Sequence, residues 1–148
     1  MPHSLILVLF LVLLISCKSV PFVPEESKLN YIKFGNGGGF TGMVNTYYLT
    51  EKGDLYADGG EGLKKSGSVK KQIADQMIAL PKILNIKENP YNVPGNRYFF
   101  IEYKIDGEQQ KIQWGGDEKH PKEYETWYKN LIFLIKQQNL KVSQTVKL

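Results

Sequence analysis

The sequence is poor in the side chains that usually carry chemistry: 148 residues contain one Cys and two His. A single thiol excludes a disulfide framework within the chain and a multi-thiolate metal site. His3 and His120 leave almost nothing from which to build a catalytic or metal-binding cluster. Charge is missing from the first 16 residues, so all 19 Lys/Arg and all 15 Asp/Glu fall in the remainder. The resulting excess of +4 is spread evenly along the chain, which speaks against a nucleic-acid binder. No apolar run reaches the roughly 20 residues of a membrane-spanning helix. Beyond residue 16, 50 of 132 residues are apolar, enough for one compact domain and too few for two.

What is present begins with Leu5 to Ile15, eleven apolar residues without interruption. That length suits the core of a signal peptide. It is followed by Leu14-Ile15-Ser16-Cys17, which resembles a lipobox, the site at which bacterial lipoprotein signal peptides are cut before a Cys. The resemblance implies that Cys17 is diacylated on sulfur and becomes the new N-terminus. Each buried methylene contributes about 0.8 kcal/mol, so two or three acyl chains anchor a protein essentially permanently. The second residue after the cut is Lys18 rather than Asp, and the first acids are Glu25 and Glu26. By resemblance to lipoprotein sorting rules, this implies a lipid anchor in the cell envelope, in the outer membrane and facing the periplasm.

The expected organisation is a signal peptide over 1–16, a lipidated Cys and tether over 17–28, one α+β domain over 29–140, and a frayed tail over 141–148. Two Pro and no sustained periodicity mark residues 18 to 28 as tether. Strands are expected at Leu29 to Phe34, at Met43 to Thr50 and, after the Lys52-Gly53-Asp54 turn, at Leu55 to Ala57. The four glycines of Asp58 to Ser68 read as loop. Ser68 suits an N-cap for a helix to Leu80, with Val69, Ile73, Met77 and Leu80 on one face and Pro81 interrupting or ending it. Arg97 to Ile105 is the strongest strand, paired with Lys111 to Trp114 across Asp106-Gly107-Glu108. Pro121 opens a last helix whose buried stripe is Tyr124, Trp127, Tyr128, Leu131, Leu134 and Ile135. The order β-β-β-α-β-β-α predicts an antiparallel sheet of about five strands with both helices on one face.

The most unusual stretch is Gly35 to Gly42. Gly37, Gly39 and Gly42 satisfy the spacing of a dinucleotide fingerprint, but that motif needs a following helix and a strand follows here. Consecutive glycines permit positive φ and close backbone approach. They suit either a contact loop presenting Phe40 or a wide hairpin turn that folds Phe40 over the core. Asp117 and Glu118 read as hydrated loop acids, and His120 as solvated or capping. Tyr47 and Tyr48 are adjacent, so one must face away from the core. That outward tyrosine and Tyr91, in a loop, are candidate surface aromatics. Lys64-Lys65 and Lys70-Lys71 read as a solvated face.

Gly38-Gly39-Phe40-Thr41-Gly42 between two strands, the Leu-x-x-x-Gly-x-Leu run from Leu49 to Leu55, a helix, a Tyr-rich hairpin and a C-terminal helix together resemble the emfourin family. These are small bacterial protein inhibitors of thermolysin-like metalloproteases. The resemblance spans about Tyr31 to Gln138 in element order, and it implies a protein-binding segment at Gly38, Gly39, Phe40 and Gly42. The expectation is a non-enzymatic, membrane-anchored module that contacts a protein partner, with such a protease as the candidate the resemblance implies, through exposed loops around Phe40 and Trp114. No catalytic residue, metal or cofactor is expected beyond the lipid on Cys17. The alternative is a structural or accessory subunit of an outer-membrane assembly, held by pairing at a sheet edge.

Overall fold

A computed structural model describes residues 21–145, with side chains to Leu140. The expected signal peptide and Cys17 lie outside the described residues. The domain is α+β, with a mixed sheet of seven strands in the order β4-β3-β2-β1-β6-β7-β5 and two helices. The strands are β1 (Tyr31–Gly38), β2 (Val44–Thr50), β3 (Asp54–Asp58), β4 (Leu63–Ser68), β5 (Asn92–Val93), β6 (Arg97–Ile105) and β7 (Glu108–Gly115). Helix α1 (Lys71–Ile83) follows β4, and α2 (Lys122–Thr145) closes the chain. All pairings are antiparallel except that of β5 with β7.

Five expected strands become seven because β4 and β5 carry little sequence signal. The run LKKSGS of β4 has two Lys, two Ser and a Gly, yet it pairs with β3 from Asp54–Ser68 to Asp58–Leu63. A register shift between Leu55 and Tyr56 bulges this edge strand. The helix therefore starts later than expected. Ser68 ends a strand, and the N-cap is Lys70, without a side-chain cap hydrogen bond. Pro81 lies inside α1, two residues before its end, and is buried. At the other terminus α2 runs on to Thr145, into the segment expected as a tail.

Alternation along β1 decides what each face of the sheet buries. Ile32 and Phe34 point toward the helices, beside Leu49 and Tyr47 of β2 and Tyr103 and Ile101 of β6. The core formed there also takes Leu55, Ile112 and Trp114 from the sheet, Ala74 from α1, and the expected stripe of α2. All six stripe residues, Tyr124, Trp127, Tyr128, Leu131, Leu134 and Ile135, are buried. Val69, just before α1, and Ile73, Met77, Ile78 and Leu80 within it pack against the same cluster while partly exposed. Burial pushes the Tyr128 hydroxyl pKa up to about 12.

The second face is aromatic too. Phe22 lies within 5.7 Å of the Tyr31 ring, 5.8 Å of Tyr48 and 4.8 Å of Tyr56, ring centre to ring centre. The segment from Pro21 to Asn30, expected to lie within or next to a loose tether, is thus laid across β1, β2 and β3. Lys104 Nζ donates to the Ser27 carbonyl at 3.0 Å, and Asn30 is joined to Asp106 by two hydrogen bonds. Tyr48, the outward member of the Tyr47–Tyr48 pair, is consequently buried, and its hydroxyl pKa rises to about 12 through desolvation.

Half of the glycine-rich stretch belongs to β1, where expectation placed a loop. A Cβ on Gly35 would stand 1.9 Å from the Asn45 carbonyl oxygen and 2.9 Å from Phe100 Cζ, and one on Gly37 would stand 2.7 Å from the Tyr98 hydroxyl. These positions lack side chains because rings from β6 lie across them. Gly35→Ala is therefore expected to destabilise the domain by about 1–3 kcal/mol. Gly59→Ala, with nothing within 4 Å, is expected to stay within about 0.5 kcal/mol of wild type. Denaturant unfolding of both variants checks the contrast.

Alkali supplies a second check. A tyrosine whose pKa is higher in the folded than the unfolded state binds its proton more tightly when folded, so stability is constant below pH 10 and falls as pH rises toward 12. Absorbance titration of the phenolates should show Tyr48 and Tyr128 ionising last, near pH 12. Tyr48→Phe should remove one of those late transitions.

Candidate functional site

The candidate site is the end of the sheet where β1 turns into β2. Three connections meet there: the hairpin tip between Gly38 and Val44, the link from β5 to β6, and the link from β7 to α2. Gly38 and Gly39 hold φ of +87° and +77°, values open to glycine at little cost. That geometry lets the Gly39 amide donate to the Asn96 carbonyl at 2.7 Å, fastening the tip to the β5–β6 link. The Arg97 side chain lies beside Gly39, with Nε 3.5 Å from where a Cβ would be. The β5–β6 link is held in turn against the β7–α2 link, since a Cβ on Gly95 would meet Gly116 Cα at 2.7 Å.

Above this base the chain projects a side chain with no cover. Phe40 has a relative exposure of 108%, more than any other large apolar residue described. Met43 at 62% and Val44 at 42% extend the apolar surface along the start of β2. Gly42, with φ of +62°, completes the turn, and its amide donates to the Gly39 carbonyl at 3.2 Å. The structure thus brings Gly38, Gly39, Phe40 and Gly42 together in one tip. Phe40 does not fold back over the core but stands in solvent.

Trp114 stands elsewhere, on β7, and is 2% exposed, which corrects its expected place in an exposed contact loop. Its ring lies 6.0 Å from Phe99, 5.7 Å from Tyr128 and 5.7 Å from His120, on which it stacks at an interplanar angle of 29°. An alternating strand places it inward next to Ile112, and two glycines then release the chain into the β7–α2 link. Trp114 buttresses that link rather than presenting a surface. His120 is accordingly half-buried, with Nε2 3.7 Å from a Glu125 carboxylate oxygen, and not freely solvated. Lys129 beside Glu125 and then His120 hold the Glu125 carboxyl below its ordinary value. Tyr91 is likewise occupied, its hydroxyl donating to the Lys119 carbonyl at 2.9 Å.

Asp117 and Glu118 are exposed in the β7–α2 link. Among the described residues no three His, Cys, Asp or Glu side chains lie together in a way that could hold a metal ion. No helix among them is long and apolar enough to cross a membrane. The lysine pairs of the sequence are partly matched by acids: Lys64 with Glu61 at 2.7 Å, Lys65 with Asp54 at 2.6 Å and Lys71 with Asp75 at 2.6 Å. Recesses large enough for a small molecule lie away from the tip. One of about 470 Å³ sits between α1 and the β6–β7 turn, lined by Ile78, Pro81, Asn85, Tyr103 and Ile105.

Sequence reasoning missed Met43 and Val44 as part of the apolar tip, because both fall in a run that reads as strand core. The signal was available in the alternation, which sets Val44 opposite Gly37 on the face away from the helices. No protein-family model matches the chain, and no curated protein matches it.

The two predicted contact residues should respond in opposite ways to truncation. Trp114→Ala removes a buried aromatic and is expected to cost about 3–5 kcal/mol of stability. Phe40→Ala, at a solvated tip, should change stability by no more than about 0.5 kcal/mol. Thermal or urea unfolding of the two variants distinguishes support from contact.

Proposed function

We propose that this protein is a cell-envelope lipoprotein, held by acyl chains on Cys17 in the outer membrane and facing the periplasm, whose non-enzymatic domain binds another protein through the β1–β2 tip. The observation that carries the reading is Phe40, fully exposed on a tip whose backbone is nevertheless fixed by the Gly39–Asn96 hydrogen bond. Exposing an aromatic ring to water gains the free protein nothing, whereas burying it in a partner recovers the apolar transfer energy. A fixed backbone beneath it reduces the ordering cost of association. Met43 and Val44 supply an apolar surround of the kind found around a central anchor residue.

The partner implied by the emfourin-like Gly38-Gly39-Phe40-Thr41-Gly42 motif is a thermolysin-like metalloprotease, with Phe40 filling an apolar pocket. Support for a non-catalytic role comes from the side chains themselves. His120 is engaged by Trp114 and Glu125, while Asp117 and Glu118 are exposed. Sheet-edge pairing in a larger assembly draws less support. The β4 edge is bulged and carries exposed Lys64 and Lys65, and the β5 edge is two residues long. Short, charged and bulged edges discourage strand addition.

A soluble form beginning at Lys18, titrated against a thermolysin-like protease, tests the reading through the rate of peptide cleavage. Stoichiometric loss of activity with the inhibitor intact is expected, and Phe40→Ala should weaken it by about thirtyfold or more, the loss of an anchor of about 2 kcal/mol or more. Full protease activity at excess inhibitor, or digestion of the domain, would remove the inhibitory reading.

A further inference from the structure

The side of the helical layer that faces away from the core has a composition of its own. The buried stripe of α2 centres on Leu131, so the residues farthest from the core lie about half a turn around the helix from it. Lys122, Lys129, Phe133, Lys136 and Leu140 hold that outermost line, each three, four or seven positions from the next, and all five are exposed. Phe133 keeps 57% and Leu140 64% of full exposure. No acid stands in the line. Glu125, on its flank, pairs with Lys129 at 2.6 Å.

Helix α1 presents the same kind of side without the charge. Ile83 lies about two and a half turns from buried Ala74, so it too points away from the core, and it is 69% exposed. Gln72, Gln76 and Ala79 fall on that side and are exposed as well. The two helices adjoin: Leu80 of α1 shares a recess of about 290 Å³ with Thr126 and Asn130 of α2. The outward surface of the layer thus carries three large apolar side chains and three lysines along these two lines, with no carboxylate among them.

The core stripe of α2 is complete without Phe133 and Leu140, so packing gives no reason for either. Single apolar residues on a surface are ordinary, but a line of them interleaved with lysines selects a partner that is both apolar and negative. The lysines are strung along about 21 Å of helix instead of meeting at one point, so no single acidic group could satisfy them. A layer of phosphate headgroups does so at any spacing, while lysine stems lie along the apolar surface and their ammonium groups reach outward. We propose that the outward face of α2, with the end of α1, docks on an anionic lipid surface, Phe133, Leu140 and Ile83 entering the interface and Lys122, Lys129 and Lys136 meeting its phosphates. Neither lipidation of Cys17 nor the role of the β1–β2 tip enters into this docking.

The test uses a form beginning at Lys18, which holds every described element of the fold and lacks Cys17. It is mixed with vesicles of phosphatidylethanolamine and phosphatidylglycerol, or of phosphatidylcholine alone. Binding to the anionic vesicles is expected to be stronger by about tenfold or more, and to weaken by about tenfold in Lys122→Gln/Lys136→Gln and in Phe133→Ser. Phe40→Ala should bind these vesicles as wild type does, which separates the outcome from that of the protease titration. An environment-sensitive fluorophore at Leu140→Cys should shift to shorter wavelength on the anionic vesicles. One at Gln109→Cys, level with Lys104 and Tyr31 on the sheet face away from the helices, should not. Equal binding to both vesicle types, no binding, or binding that both the lysine and the Phe133 variants leave unchanged would overturn the proposal. A dimer that Phe133→Ser dissolves, without vesicle binding, would overturn it too and assign the face to a second copy of the chain.

Discussion

Everything in this domain is arranged around β1, the strand in the middle of the sheet order, hydrogen-bonded along its length to a neighbour on each side: β2 from Tyr31–Thr50 to Gly37–Val44, and β6 from Tyr31–Lys104 to Gly38–Arg97. A central strand normally stabilises a sheet by burying side chains on both faces. Here β1 does so over its first four residues, then continues as glycine and asparagine. The continuation is held because its neighbours fill the space: Phe100 lies over Gly35 and Tyr98 over Gly37. Phe100 is itself buried, so the aromatic surface a strand would ordinarily supply at these positions comes from β6. The consequence is a hairpin that extends firmly to its tip. It can therefore present Phe40 without the mobility that a run of glycines suggests.

Much of the architecture was legible because it depends on apolar periodicity, which the chain displays wherever an element is buried on one side. The stripe of α2 expresses that requirement and is buried as expected, and RYFFIEYKI forms the expected strand β6, with Ile101 and Tyr103 buried toward the helices. The failures share a cause as well. β4 lies at an edge, where lysines and a bulge serve better than apolar residues, so LKKSGS carries no strand periodicity. β5 is too short to show any. Gly35 to Gly38 read as loop because the side chains that stabilise them belong to residues more than sixty positions away. Trp114 was expected in an exposed contact region because it adjoins the polar run from Gly115 to His120, a local signal outweighed by its inward position on β7.

The segment before β1 shows the same limit. Two prolines and scattered charges give Lys18 to Lys28 the composition of a tether. One residue changes its character, because Phe22 meets three tyrosines that are distant in sequence yet adjacent in the sheet. Those tyrosines explain why the outward face is not the polar surface that a two-layer α+β domain usually shows. Without the Phe22 segment, Tyr31 and Tyr48 would be left as exposed aromatic surface on a face that also carries Lys33, Glu102 and Lys104. The segment and the face require one another: the face gives the segment its course, and the segment removes the face's apolar area from water.

That division assigns different physical demands to the two ends of the sheet. Toward the other end, Phe22, Tyr31, Tyr48 and Tyr56 satisfy one another, and the Asn30–Asp106 hydrogen bonds tie the segment before β1 to the β6–β7 turn. At the tip, the backbone is satisfied while Phe40, Met43 and Val44 are not covered. Folding alone gives no reason for an exposed phenylalanine on a glycine-rigidified turn, since a polar residue there would hold the same backbone at lower solvation cost. The Phe22 cluster is stable without a partner, and the tip pays for its exposure only when something covers it.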